Sequence, residues 1–118
     1  MHQGSGDPLL TDAPKDNKGQ GKTFPPTDLV AAALVSCIAT IMGIEADKMN
    51  VNLSGLTWET TKEMRTHPRT IGKIKVHFSL KNCEISFEQH VLLKNKGLAC
   101  PVMLALSPNI IQEITFDF

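Results

Sequence analysis

Residues 29–48 read LVAAALVSCIATIMGIEADK, and what this stretch becomes decides the rest of the chain. Alanine and leucine dominate it, and both favour helix. Pro25 and Pro26 halt any extended structure ahead of it, and Thr27 or Asp28 offers a short polar side chain to the free N–H groups of a first helical turn. The reading is a helix over about 28–47. From 29 to 44 it is apolar almost all round, with only Ser36, Cys37 and Thr40 as polarisable side chains. Those sixteen residues fall short of the roughly 20 that a bilayer span needs. They are read as a central helix buried on most of its circumference, and no membrane partner is expected.

Downstream, the spacing of Val51, Leu53, Leu56 and Trp58 predicts a strand over 51–61, with a register break at Gly55 that a bulge would reconcile. MRTHPRT then serves as a connector, and Ile74, Val76, Phe78 and Leu80 alternate with Lys73, Lys75, His77 and Ser79. That alternation gives one buried and one wet face. Ser86 followed by Gln89 fits a capping box, so a second helix is expected from about Phe87 to Lys96, ending at Gly97. A short third helix carries Cys100 and Pro101 at its start, because Pro lacks the N–H that would be unsatisfied there anyway. Ile110, Gln112, Ile114, Phe116 and Phe118 alternate as a final strand. Upstream, the first 26 residues are rich in Gly and Pro and read as loop, with Pro8 to Thr11 the one strand-like piece. The order argues for an α+β fold with antiparallel pairing.

The chain has 118 residues, which fits a single domain over 1–118, and its 42% apolar content leaves little room for extended disorder. Twelve basic against twelve acidic side chains give zero formal charge. No net field attracts polyphosphate, so nucleic acid is not an expected partner. Three cysteines, Cys37, Cys83 and Cys100, are an odd count with no CxxC pair. That pattern suits neither a disulfide-stapled secreted scaffold nor a zinc ribbon, and with no export signal in MHQGSGDPLL it points to the cytoplasm. His67, His77 and His90 are scattered, so no metal site is expected. Glu45 and Asp47 read as solvated, Arg65 and Arg69 as surface residues of the connector, and Cys83 as a tolerated thiol.

Buried cysteines most often act as small hydrophobes, and that reading stands open for Cys37 and Cys100. The alternative gives them chemistry. A sulfur in the first turn of a helix meets free N–H groups and the helix dipole, which favour a thiolate at Cys100. Cys37 lacks that advantage, and as a nucleophile it needs a nearby cation or hydrogen-bond donors. Val30, Ala33, Ile41 and Ile44 share its helical face and are candidates to line a pocket there.

The run FPPTDLVAAALVSC, followed about sixty residues later by ACPVMLALSPNI with THPRTIGKIKVHFSL between, resembles the OsmC/Ohr family of hydroperoxide-detoxifying proteins, and its OsmC-like branch more closely. The opening TDAPKDNKGQGKTFPPTDL fits as well, so the resemblance covers nearly the whole chain. It implies an antiparallel sheet packed on a central buried helix, in an intertwined homodimer with active sites at the subunit interface. It makes Cys37 the peroxidatic cysteine and Cys100 the resolving one in the reduction of organic hydroperoxides. Cofactors are expected to be none, with reduction by an external dithiol such as a lipoylated protein. Apolar walls suit an organic peroxide, since burying its hydrocarbon part contributes about 25 cal/mol per Å². The resemblance also marks departures: Thr27 stands where the peroxidase branch has a glutamate, the partner arginine falls ahead of Met1, and a first strand of the family is missing. The alternative is therefore a non-catalytic relative that binds a small apolar ligand at the dimer interface.

Overall fold

The computed structural model describes residues 1–81 and 83–118, which fall into two compact units, 1–30 and 31–118. In the first unit no strand forms among residues 1–25; the backbone closes on itself instead. Asp12 N–H bonds to the Phe24 carbonyl at 3.2 Å, Gly21 N–H to the Ala13 carbonyl at 3.2 Å, and Lys22 N–H to Asp12 Oδ2 at 3.1 Å. Gly19 sits so near this turn that a Cβ on it would lie 1.6 Å from the Ala13 carbonyl oxygen. Only glycine permits that approach.

Helix α1 spans Pro26–Lys48. It starts before Thr27 and Asp28, and the Pro25 carbonyl accepts the Asp28 N–H at 3.0 Å and the Leu29 N–H at 3.2 Å. Pro26 then occupies the first helical position, where its missing N–H costs nothing. At 23 residues α1 exceeds the sixteen-residue apolar run and is long and apolar enough, by length and composition, to cross a membrane, as core helices of soluble proteins also are. Its burial is narrower than all-round. Ala31, Leu34, Val35, Ile38, Met42 and Ala46 form a buried stripe at helical spacing, whereas Ala33, Ser36, Thr40 and Ile44 stay exposed in the single chain.

Strand β1 is Thr57–Arg65, β2 is Thr70–Ser79 and β3 is Ile111–Asp117. The expected bulge at Gly55 is a turn outside the strand: Gly55 takes φ +88°, a left-handed conformation open to glycine, and β1 begins two residues later. The register shift falls at Glu63 and Met64 instead. β2 is the centre of the sheet, ordered β1-β2-β3, and this placement makes its alternation clean, with Ile74, Val76 and Phe78 buried on one face. On the other face Lys73 pairs with Glu113 at 3.2 Å, and His77 Nδ1 lies 2.6 Å from Thr115 Oγ1.

Pairing is antiparallel between β1 and β2 but parallel between β2 and β3, so the sheet is mixed rather than antiparallel. Alternation along β3 does not encode its direction. The connection over 80–110 does, because it holds two helices and carries the chain back to the end of the sheet where β2 began.

Helix α2, Phe87–Gly97, opens with the expected capping box: Ser86 Oγ accepts the Gln89 N–H at 3.1 Å, and Gln89 Oε1 accepts the Ser86 N–H at 3.1 Å. It covers the end of β3, with His90 stacked on Phe118 at 5.1 Å and Lys94 Nζ 5.2 Å from the Phe116 ring centre. Burial, and then the charge of Lys94, hold the His90 imidazolium below the ordinary histidine range. Leu93 joins Ala46 of α1 and Val51 in a buried cluster. Truncating such a leucine to alanine costs about 2–5 kcal/mol.

Candidate active site

Gly97 ends α2 against α1. A Cβ there would lie 3.1 Å from Ile38 Cγ2 and 3.0 Å from Met42 Cγ, so the absence of a side chain sets how closely the two helices approach. The chain turns at that point, with Leu98 N–H bonded to the Lys94 carbonyl at 2.9 Å and Cys100 N–H to the Gly97 carbonyl at 3.3 Å. It then enters the short helix α3, Pro101–Ala105. The approach at Ile38 brings the start of α3 beside Cys37, the preceding residue of α1.

Cys100 is the N-cap of α3, one position ahead of the first turn where the sequence places it. Its backbone is extended and its Sγ accepts the Met103 N–H at 3.3 Å, the part usually played by serine or aspartate. Cys37 sits at the border between the buried and exposed stripes of α1 and is half-buried, whereas Cys100 is 0% exposed. The Cys37 side chain is near enough to act on the Cys100 thiol, although sixty-three positions separate them in the chain.

Burial pushes the Cys100 thiol above its ordinary range, and Cys37 adds to the rise both as hydrogen-bond partner and through its charge. The N–H groups of Met103 and Val102 pull the other way and lose. The sequence expectation that the helix start favours a thiolate at Cys100 is thus overturned. A five-residue helix carries a small dipole, and complete burial of the sulfur outweighs it. Cys100 therefore holds its proton more tightly than an ordinary thiol.

Met103 is the hub of α3. Its N–H holds Cys100 Sγ, and its carbonyl accepts Gln112 Nε2 at 3.2 Å. Sequence reasoning missed Gln112, which reads there as one more inward position of the last strand. A polar residue at a core-facing position was the available signal.

The residues expected to line a pocket are placed differently from one another. Ala33 is exposed, Ile41 is half-buried, and Ile44 is 52% exposed. Val30, half-buried, belongs to the first unit. None of them lines the cleft of about 480 Å³ bounded by Gly43, Asp47, Asn50 and Ser54, nor the one of about 300 Å³ bounded by Asn52, Lys81 and Glu84. A third cleft, of about 620 Å³, lies in the first unit between Lys15, Lys22, Phe24 and Asp28. Ala33 and Ile44 stand open on one side of α1 in the single chain.

Arg65 is not a loose surface cation. Its guanidinium donates to the carbonyls of Gly72, at 3.2 Å, and Asn109, tying the β1–β2 hairpin to the loop that enters β3. Glu45 pairs with Lys48 at 3.1 Å. Cys83 is half-buried, and among the described residues no three His, Cys, Asp or Glu side chains converge as a metal nest.

Two cysteine side chains, one half-buried on α1 and one fully buried at the start of α3, are thus brought together on an α+β frame. The family model for OsmC-like protein matches residues 19–115, and the chain belongs to that family. A crystal structure described as an osmotic stress induced and detoxification response protein from Psychrobacter arcticus superposes with a TM-score of 0.91 at 36% identity, covering 98% of this chain and 84% of that one. The organic hydroperoxide resistance protein OsmC from Legionella pneumophila has the same fold, with a TM-score of 0.71 at 16% identity over 91% of this chain and 79% of that one. So does an organic hydroperoxide resistance protein from Vibrio cholerae with captopril in one of its active sites, with a TM-score of 0.66 at 18% identity over 90% and 74%. Among curated proteins none matches. The family is thus one that includes hydroperoxide resistance proteins.

Proposed function

We propose that the protein reduces organic hydroperoxides with Cys37 as the attacking sulfur and Cys100 as the resolving one. The observation that carries this reading is the contact between the two thiols. Cys37 is the half-exposed member and the one a peroxide can reach. Cys100, fully buried and held by the Met103 N–H, keeps its proton by preference and is placed to resolve rather than to attack. The Cys37 thiolate attacks one peroxide oxygen, the O–O bond breaks, and the alkoxide takes a proton and leaves as an alcohol. Cys37 is left as a sulfenic acid. The Cys100 sulfur then attacks the Cys37 sulfur, water leaves, and a disulfide closes. Two electrons have passed from the thiol pair to the peroxide, and an external dithiol, such as a lipoylated protein, restores them by exchange.

An intertwined homodimer completes the site in this reading. The exposed stripe of α1, with Ala33, Thr40 and Ile44, supports it, because a partner surface laid on that stripe supplies the missing wall of an apolar pocket. That pocket would hold the hydrocarbon part of the peroxide against Ala33, Ile41 and Ile44.

The test is reaction of the reduced protein with cumene hydroperoxide. The expected product is about 2 Da lighter, from the loss of two hydrogens, with Cys37 and Cys100 joined. Cys37→Ser blocks the reaction, and Cys100→Ser stops at a trappable sulfenic acid. No thiol loss at equimolar peroxide overturns the reading. A second reading, a non-catalytic binder of a small apolar molecule, is favoured by Thr27 at the family's glutamate position and predicts retained ligand without thiol loss.

A further inference from the structure

We propose that Gln112 is a positioning residue for the resolving sulfur, acting through the C-terminal end of α3. A helix leaves its last carbonyls without partners, and α3 has only five residues, so most of its carbonyls are in that position. Val102 O is satisfied by the Leu106 N–H at 3.1 Å, after which the backbone turns extended and no N–H reaches Met103 O from within the helix. Gln112 Nε2, arriving from β3, fills that vacancy at 3.2 Å. The same peptide neighbourhood carries the Met103 N–H that holds Cys100 Sγ. A fixed line thus runs from the sheet through Gln112 and Met103 to Cys100.

The other end of the amide makes the case stronger. Gln112 Oε1 is buried and has no hydrogen-bond partner among the described residues. Burying an acceptor without a donor is unfavourable, and a methionine or leucine fills the same volume without that penalty. What glutamine adds at this place is its donor, and its one acceptor is the Met103 carbonyl. The neighbour of Gln112 on β2 is Ile74, fully buried, which keeps the amide from turning toward water. The consequence is kinetic: Gln112 leaves the attack at Cys37 alone and sets how often Cys100 is in place when the sulfenic acid forms.

This inference rests on the two-cysteine reading, and the test separates the two. Wild type, Q112M and Q112E are reduced and mixed with cumene hydroperoxide. Sulfenic acid is counted by dimedone trapping and disulfide by mass spectrometry at successive times. The expected result is an unchanged rate of sulfenic acid formation in all three, with disulfide closure about fivefold slower in Q112M, the loss that one hydrogen bond represents. Q112E at neutral pH carries a carboxylate that cannot donate and is slow; in mildly acidic buffer the protonated acid donates again, and closure recovers relative to Q112M at the same pH. A structural role alone gives no such recovery. Equal closure rates in wild type and Q112M overturn the inference while leaving the two-cysteine reading intact, whereas absence of both sulfenic acid and disulfide in wild type overturns that reading. A readout independent of peroxide uses the Cys37→Ala background, where Q112M is expected to speed alkylation of Cys100 by iodoacetamide. No change there also counts against Gln112.

Discussion

Cys100 lies beside Cys37 with no solvent exposure, and burial there pushes its thiol above the ordinary range, with Cys37 raising it further. Desolvation is the largest cause of that rise, with Cys37 second to it among the raising effects. Iodoacetamide alkylation of Cys100, followed by peptide mass against pH, is therefore expected to show a midpoint above the ordinary thiol value of about 8.5. Cys37→Ala lowers that midpoint without returning it to the ordinary value. A midpoint at or below the ordinary value in wild type contradicts this.

The same shift has a stability consequence with a definite sign. The folded pKa is raised, so the neutral buried thiol contributes its full share below the unfolded pKa, and that share is lost as pH rises through the folded one. Reduced wild type is expected to lose thermal stability above about pH 8.5 more steeply than Cys100→Ala, although Cys100→Ala is the less stable at neutral pH. Melting curves of both proteins in reductant, taken across that range, check it.

Arg65 and Asn109 are the second long-range tie. Because the guanidinium donates to two carbonyls at once, Arg65→Ala is expected to destabilise by about 1–3 kcal/mol in urea titration. Gly72→Ala should share that loss, since its Cβ would lie 2.7 Å from Arg65 Cγ and push the side chain off its carbonyls. In the double variant the two costs are expected to be less than additive, as for residues that remove one interaction. Full additivity shows that Gly72→Ala acts independently of the guanidinium contacts.

Local chemistry was legible in the sequence, and distant geometry was not. Ser86 and Gln89 specify their own capping box, so the start of α2 was readable to the residue, and Ser86→Ala is expected to cost about 1 kcal/mol of stability. The alternation along β2 was readable because that strand is central and both of its neighbours lie in the same sheet. The parallel direction of β3 was not, since Gln112, Ile114 and Phe116 alternate identically in either direction. The family motifs named Cys37 and Cys100 but said nothing of their balance. Helix position argued for an acidic Cys100, and only its complete burial, a product of Gly97 seating against Ile38, shows why the opposite holds. Gln112 was invisible for the same reason: its partner is a backbone carbonyl nine positions earlier, and no pattern of side chains reveals it.

The exposed stripe of α1 yields the prediction on assembly. Ile44 is 52% exposed, and Ala33 and Thr40 flank it on the same side of the helix. Such an apolar surface on the longest helix of a small domain is the kind that a second copy covers. Sedimentation equilibrium is expected to give twice the mass of the 12.9 kDa chain. Ile44→Glu changes a residue that is open to water in the single chain, so it leaves the circular dichroism of that chain unchanged while a buried carboxylate opposes association. The expected outcome is a folded monomer that keeps the contact between Cys37 and Cys100, which lie in one chain, but reacts more slowly with cumene hydroperoxide than with hydrogen peroxide relative to wild type. A monomeric wild type, or an Ile44→Glu dimer with unchanged preference, removes the partner subunit from the site.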